Sequence, residues 1–106
     1  AYAAFRPVYD APLTLAERMK LLPVQLRYEL AAGHAGAAAS GLAEKVRVAE
    51  LLESPRAALV HALLAEACRR ESMPAQQAFL AERARLYHDL EPLAEKYPII
   101  RPVANE

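Results

Sequence analysis

His61 and Cys68 are the two side chains of this sequence best suited to hold a metal ion. They stand seven residues apart, two helical turns, and so share one face of a helix. A metal site needs three or four ligands, and the sequence places no third beside them. The pair is therefore read as packing, with Cys68 a buried, inert thiol and no metal bound by this chain. His34, His61 and His88 recur every 27 residues, but the residues around them do not repeat, so the spacing marks no internal duplication. His88 and Glu91 read as a solvated pair one turn apart. Arg69, Arg70, Arg83 and Arg85 make a basic cluster, and Glu71, Glu82 and Asp89 among them turn it into a mixed-charge face. There is no nucleophile–base motif, no glycine-rich phosphate loop, no cysteine pair and no zinc helix. No residue is expected to be catalytic.

Composition narrows the classes further. The chain of 106 residues is one domain, burying roughly 65% of its unfolded surface. Apolar residues are 55% of it, but aromatics only 7%, which implies a thin core of leucine packed over alanine. Thirteen basic and thirteen acidic side chains cancel, so charge gives no reason to expect nucleic acid or an anionic membrane as partner. One cysteine excludes an intrachain disulfide, no apolar run approaches the roughly 18 residues of a membrane span, and the N-terminus has no signal-peptide pattern; the expected location is the cytoplasm. The chain begins at Ala1, which implies that a start methionine, a leader or a longer parent preceded it.

The elements that would position these residues are helices. The expected architecture is all-α, with about four helices turned by sharp Ser-Pro corners over residues 13–97, an extended arm at 1–12 and an extended tail at 98–106. Ser54-Pro55 opens the central helix, Ser54 to Glu71, with Ser54 as cap. It is apolar round most of its circumference, broken between Ala57 and Cys68 only by His61 and Glu66, so the other segments must wrap it. Before it, Thr14-Leu15-Ala16-Glu17 forms a capping box. Leu15, Met19, Leu22, Leu26 and Leu30 make one stripe on that first helix. Leu21, Val24 and Tyr28 make a second, roughly opposite, that meets either the chain's own domain or another protein. Pro23 kinks or restarts the helix, and Gly33 suits its left-handed end. Residues 34–41 read as a loop or a frayed start. Ser40 caps a helix over Leu42 to Glu53, with Leu42, Val46, Ala49 and Leu52 inward and Lys45, Arg47, Glu50 and Glu53 mostly outward. Ser72-Met73-Pro74 repeats the corner. The last helix, Pro74 to Tyr97, carries Phe79, Leu86, Leu90, Leu93 and Tyr97 in a seven-residue-like repeat, with Arg83 in its polar slot and Leu80, Tyr87 and Ala94 widening the same face. Pro92 bends it and Pro98 ends it. Phe5, Val8 and Tyr9 on the arm, and Ile99 and Ile100 on the tail, need cover and are expected to face a partner.

Three stretches resemble one family. Gly41-Leu42-Ala43-Glu44-Lys45-Val46-Arg47-Val48-Ala49-Glu50 is similar, with a one-residue offset, to the "GLDEFRxxIE" segment near the start of nitrile hydratase β subunits. Leu52-Glu53-Ser54-Pro55, then a helix, a corner and Phe79 to Tyr87, resembles the "YLESPYY" and "ELERRxxxY" helices of that subunit. Pro7-Val8-Tyr9-Asp10-Ala11-Pro12 resembles the "PVFDEPW" opening of the small nitrile hydratase accessory (activator) proteins, which share this helical domain with the β subunit of thiocyanate hydrolase. The likeness departs from the family in having no tryptophan and in replacing several helix aromatics by alanine or leucine.

The resemblance implies a non-catalytic β-type subunit of a nitrile hydratase or thiocyanate hydrolase-like lyase. It would pack on the metal-bearing α subunit, and on a second β-like chain where the β chain is split, and help close the active site. Cobalt or iron would belong to the α subunit, whose cysteine-rich motif this chain lacks. Arg47 matches the family arginine that bonds the partner's oxidised cysteines, a role suited to the planar fork of a guanidinium. Two alternatives stand beside it: an accessory protein delivering cobalt or the α subunit, and an unrelated helical protein-interaction module.

Overall fold

The structure, a computed structural model, describes residues 13–96, with side chains described through Leu93. The arm and tail, and with them Phe5, Val8, Tyr9, Tyr97, Ile99 and Ile100, lie outside the described residues. Among those described, every regular element is a helix, as expected. There are five: α1 (Leu15–Ala31), α2 (Ala35–Ala39), α3 (Leu42–Glu50), α4 (Ser54–Arg70) and α5 (Pro74–Lys96). None of them is long and apolar enough to cross a membrane. The extra element is α2, a single alanine-rich turn and a half where a loop or a frayed helical start was expected; alanine is the best helix former, so AGAAA coils once its ends are held.

α4 is the centre. It packs against each of the other four helices, and Ala57, Val60, His61, Leu64, Ala65, Ala67 and Cys68 are buried along it. Leu22, Leu26 and Leu30 of α1, Ala35 and Ala38 of α2, Val48 and Ala49 of α3, Leu52 and Leu80 complete the core. The inner stripe of α1 is therefore buried from Leu22 onward, whereas Leu15 at its start is exposed. Pro23 sits inside an unbroken α1, so it does not restart the helix.

The helix ends carry most of the differences from expectation. Thr14 forms its capping box: its hydroxyl accepts from the Glu17 amide at 3.2 Å, and its own amide donates to Glu17 Oε1 at 2.9 Å. Gly33 takes the left-handed conformation, φ 78°, and the amides of Gly33 and His34 donate back to Leu30 and Glu29. That is a Schellman ending. α4 ends the same way, but with Ser72 in the left-handed position, φ 56°; the amides of Ser72 and Met73 return to Arg69 and Cys68. Ser72 thus stops α4 and does not cap α5. Ser54 is likewise not a cap: Glu53 is, which makes Ser54 and Pro55 the first two helical residues. Ser40 ends α2, and Gly41, φ 64°, takes the cap position of α3 without any side-chain bond. α3 stops at Glu50, short of the expected Glu53, because Leu51 to Glu53 must turn the chain into α4.

Lys45, expected to face outward on α3, is buried, and on α5 the row expected to widen the apolar face is the one laid on α4. On α3 the buried residues are Lys45, Val48 and Ala49, with Leu52 beyond, while Leu42 and Val46 are half-buried. Lys45 is buried because its ammonium serves the end of α2: Nζ donates to the carbonyls of Ala37 at 2.9 Å and Ala38 at 2.8 Å. Glu29 of α1 adds electrostatic attraction, and burial pushes the Lys45 pKa down from its usual value. On α5 the face laid on α4 is Gln77, Leu80, Ala84, Tyr87 and Glu91, a 3-4-3-4 spacing one residue round from the expected repeat. Phe79, Leu86 and Leu93 consequently point away from the core, and each is roughly half exposed.

Two stability changes follow. Ser72→Gly removes the penalty of a side chain at positive φ and should raise the folding free energy by about 1 kcal/mol in chemical denaturation. Lys45→Met keeps the volume but takes a donor from the Ala38 carbonyl and leaves the Ala37 carbonyl only the Ser40 amide at 3.3 Å, and should lower it by about 2 kcal/mol in the same assay.

Candidate functional site

The described surface offers apolar grooves and paired charges in place of a catalytic cleft. The larger groove, about 700 Å³ and open to solvent, runs between α3 and the start of α5. Leu42, Ala43 and Val46 form one wall; Met73, Gln76 and Phe79 form the other, and buried Leu80 is its floor. It lies where α3 and α5 both pack on α4 but make little contact with each other. Further along, Arg83 of α5 is ion-paired to Glu50 of α3, and its guanidinium carbon lies 5.2 Å from the Phe79 ring centre. This cation–π contact holds the Phe79 ring beside Arg83. Leu86 and Leu93, seven and fourteen residues beyond Phe79 on α5 and past Arg83, are exposed as well.

Arg47 stands beside this groove. It follows Ala43 by one turn and so shares its side of α3. Its side chain is 73% exposed and ion-paired with Glu44 of the preceding turn. The α1 residues expected to meet a partner lie elsewhere. Val24 lines a smaller groove, about 390 Å³, with Met19, Lys20 and Pro23 of α1 and Arg56 and Leu59 of α4. Val24 and Tyr28 are exposed and Leu21 is half-buried. Arg47 and the α1 stripe therefore belong to different grooves, and the structure does not bring them into one site.

The arginine cluster resolves into separate ion pairs. Glu66 accepts from Arg69 at 2.6 Å and 2.9 Å and from Arg70 at 2.7 Å, and these bonds hold its carboxyl down at about 2. Arg70 also donates 2.9 Å to the Leu30 carbonyl at the end of α1. Arg85 pairs with Glu82, and its other nitrogen lies 3.8 Å from Asp89. These cations all have carboxylate partners, as a mixed-charge face requires.

His61 and Cys68 are both fully buried. Burial pushes the Cys68 thiol up, away from the reactive thiolate. The His61 ring bonds the Ala57 carbonyl through Nδ1 at 2.8 Å and stacks on Tyr87, centres 5.2 Å apart and planes 14° from parallel. Among the described residues no group of three or more histidine, cysteine or carboxylate side chains is placed to hold a metal ion. His88 is exposed and Glu91 half-buried.

Periodicity alone missed the outward line of Phe79, Leu86 and Leu93. The signal was present in Leu80, Ala84 and Tyr87: a slim alanine between two large residues is what a helix needs to lie close on an alanine-rich neighbour. Compared with protein-family models, with curated proteins and with solved structures, the chain matches none.

Proposed function

We propose that this chain is a non-catalytic helical subunit whose work is to pack on another protein. The observation that carries this reading is the outward apolar line on α5. Phe79, Leu86 and Leu93 are 53%, 48% and 44% exposed, and Phe79 also lines the open groove against α3. A large side chain presents about 150–250 Å². Three of them half exposed leave roughly 300 Å² of apolar surface along α5, the lower end of the range spanned by the largest, often functional, patch of a small protein. The paired arginines, the inert thiol and the buried imidazole offer no competing chemistry.

We further propose the partner. The likeness of Gly41–Glu50, Leu52–Pro55 and Phe79–Tyr87 to nitrile hydratase and thiocyanate hydrolase β subunits favours the metal-bearing α subunit of such an enzyme, in the cytoplasm. The cobalt or iron would be that subunit's. Arg47, exposed beside the α3–α5 groove, is the residue this chain would present to the partner's oxidised cysteines. The Pro7–Pro12 likeness to the accessory proteins favours a second reading, in which the chain leaves once the α subunit is loaded.

Co-expression with such an α subunit tests both the surface and the partner. The two should copurify through gel filtration, and Leu86→Glu should abolish the complex without unfolding the chain. A wild-type chain that is folded yet never copurifies rules out this partner class. A complex indifferent to Leu86→Glu rules out the α5 line as the contact. Loss of the chain once the α subunit holds its metal identifies the accessory role.

A further inference from the structure

α5 is held to the domain almost wholly through α4. The middle of that contact is His61, which has no exposed surface and stacks on Tyr87 of α5. A carbonyl oxygen only accepts, so the bond to Ala57 fixes the proton on Nδ1. Nε2 is then the acceptor of a neutral ring, and it is buried without a partner. A neutral imidazole tolerates this position. A second proton, on Nε2, would create a buried donor with no acceptor and a buried charge with no counter-charge.

The surrounding charges offer the imidazolium no relief. On α5, the charge acting on Tyr87 is the cation Arg83, which would repel a second one, and Glu91, one turn past Tyr87 on the same face, makes no hydrogen bond or ion pair with His61. On α3, Glu50 is taken by Arg83. On α1, Glu29 acts on Lys45. On α4 itself, Glu66 is taken by Arg69 and Arg70. α2, AGAAA, has no titratable side chain.

We propose that the His61–Tyr87 stack is an acid-sensitive latch, which holds α5 against α4 while the imidazole is neutral and frees α5 when it takes a second proton. The latch operates whatever the partner of the outer face is. Its direction agrees with the effect of burial, which lowers the pKa of the latched His61 from the usual 6.5. A freed histidine regains that ordinary value, so the open state binds the proton more readily. The latch is at full strength above about pH 6.5 and weakens as pH falls through it, by up to tenfold in the opening equilibrium per pH unit, until the latched ring itself is protonated. The Glu66 cluster stays charged across this window, since its carboxyl lies at about 2.

Hydrogen exchange of the full chain between pH 7.5 and 5, corrected for intrinsic exchange, reads the latch directly. Peptides covering Leu80 to Tyr87 should open about fivefold more at pH 5.5 than at 6.5, while those covering Leu22 to Leu30 change little. His61→Phe should keep α5 protected throughout, with His34 and His88 still present; His61→Gln, which takes no proton in this range, gives the same reading if the phenylalanine variant does not fold. Opening of α5 and α1 in parallel, an α5 indifferent to pH, or a His61 variant that opens like the wild type would each overturn the latch.

Discussion

The enclosure of α4 is the constraint on which the other helices depend. A helix touched by four others cannot keep a polar face, and here only Pro55, Arg56, Ala62 and the terminal arginines reach solvent freely. Nor can it be wide on every side. Ala57, Ala65 and Ala67 are buried among Val60, Leu64 and Cys68, and small residues of this kind let neighbouring axes approach towards the 8 Å end of the usual range. A core built this way gains little from any single side chain, about 1.5–3 kcal/mol for each buried leucine or valine. It gains instead from close fit along many residues. The same enclosure explains why the one polar side chain in the middle, His61, is neutral, bonded to its own helix and stacked on Tyr87.

With one helix enclosed, the ends of the others become tertiary structure. α1 stops at a Schellman turn, and the carbonyl of Leu30 near that end takes a bond from Arg70 of α4. α2 is too short to persist alone; Lys45 of α3 holds two of its last carbonyls and Ala35 and Ala38 face the core. Each cation sits where the negative end of a helix dipole favours it. The corners and the core are therefore one system, because the ends of α1 and α2 are each held by a side chain from a helix further along the chain.

This explains which features could be read in advance. The Thr14 capping box and the Gly33 ending are local: their donors and acceptors lie within five residues, so the sequence specifies them directly. The central helix was legible because enclosure leaves a compositional mark that no exposed helix shares. Ser54, Ser40 and Ser72 were not legible. Each has a side chain able to cap, but the turn geometry set by packing gave that position to Glu53 and Gly41 and put Ser72 in a left-handed turn. Lys45 was missed because a lysine in an amphipathic pattern reads as outward, and only the carbonyls of a helix not expected to exist draw it inward. The site was less legible than the fold. Arg47 and Val24 were named, yet the line of Phe79, Leu86 and Leu93 was assigned to the core, because two parallel rows one residue apart on α5 carry nearly equal apolar weight.

Those two rows are the final step. α5 buries Leu80 and half-buries Tyr87 on α4, and it presents Phe79, Leu86 and Leu93 on its other side. A helix that served only to cover α4 would need the first row and a polar second one. The outer row by itself, at roughly 300 Å², is less than half of the ~800 Å² that each side of an ordinary interface buries. A partner seated only on that row would be weakly held. The groove adds to it, because Leu42, Val46 and Met73 continue the apolar surface from Phe79, until Glu50 and Arg83 close it on the flank. The partner surface is therefore set by the placement of α3 beside α5 as much as by α5 itself, and that placement follows from both helices lying on α4.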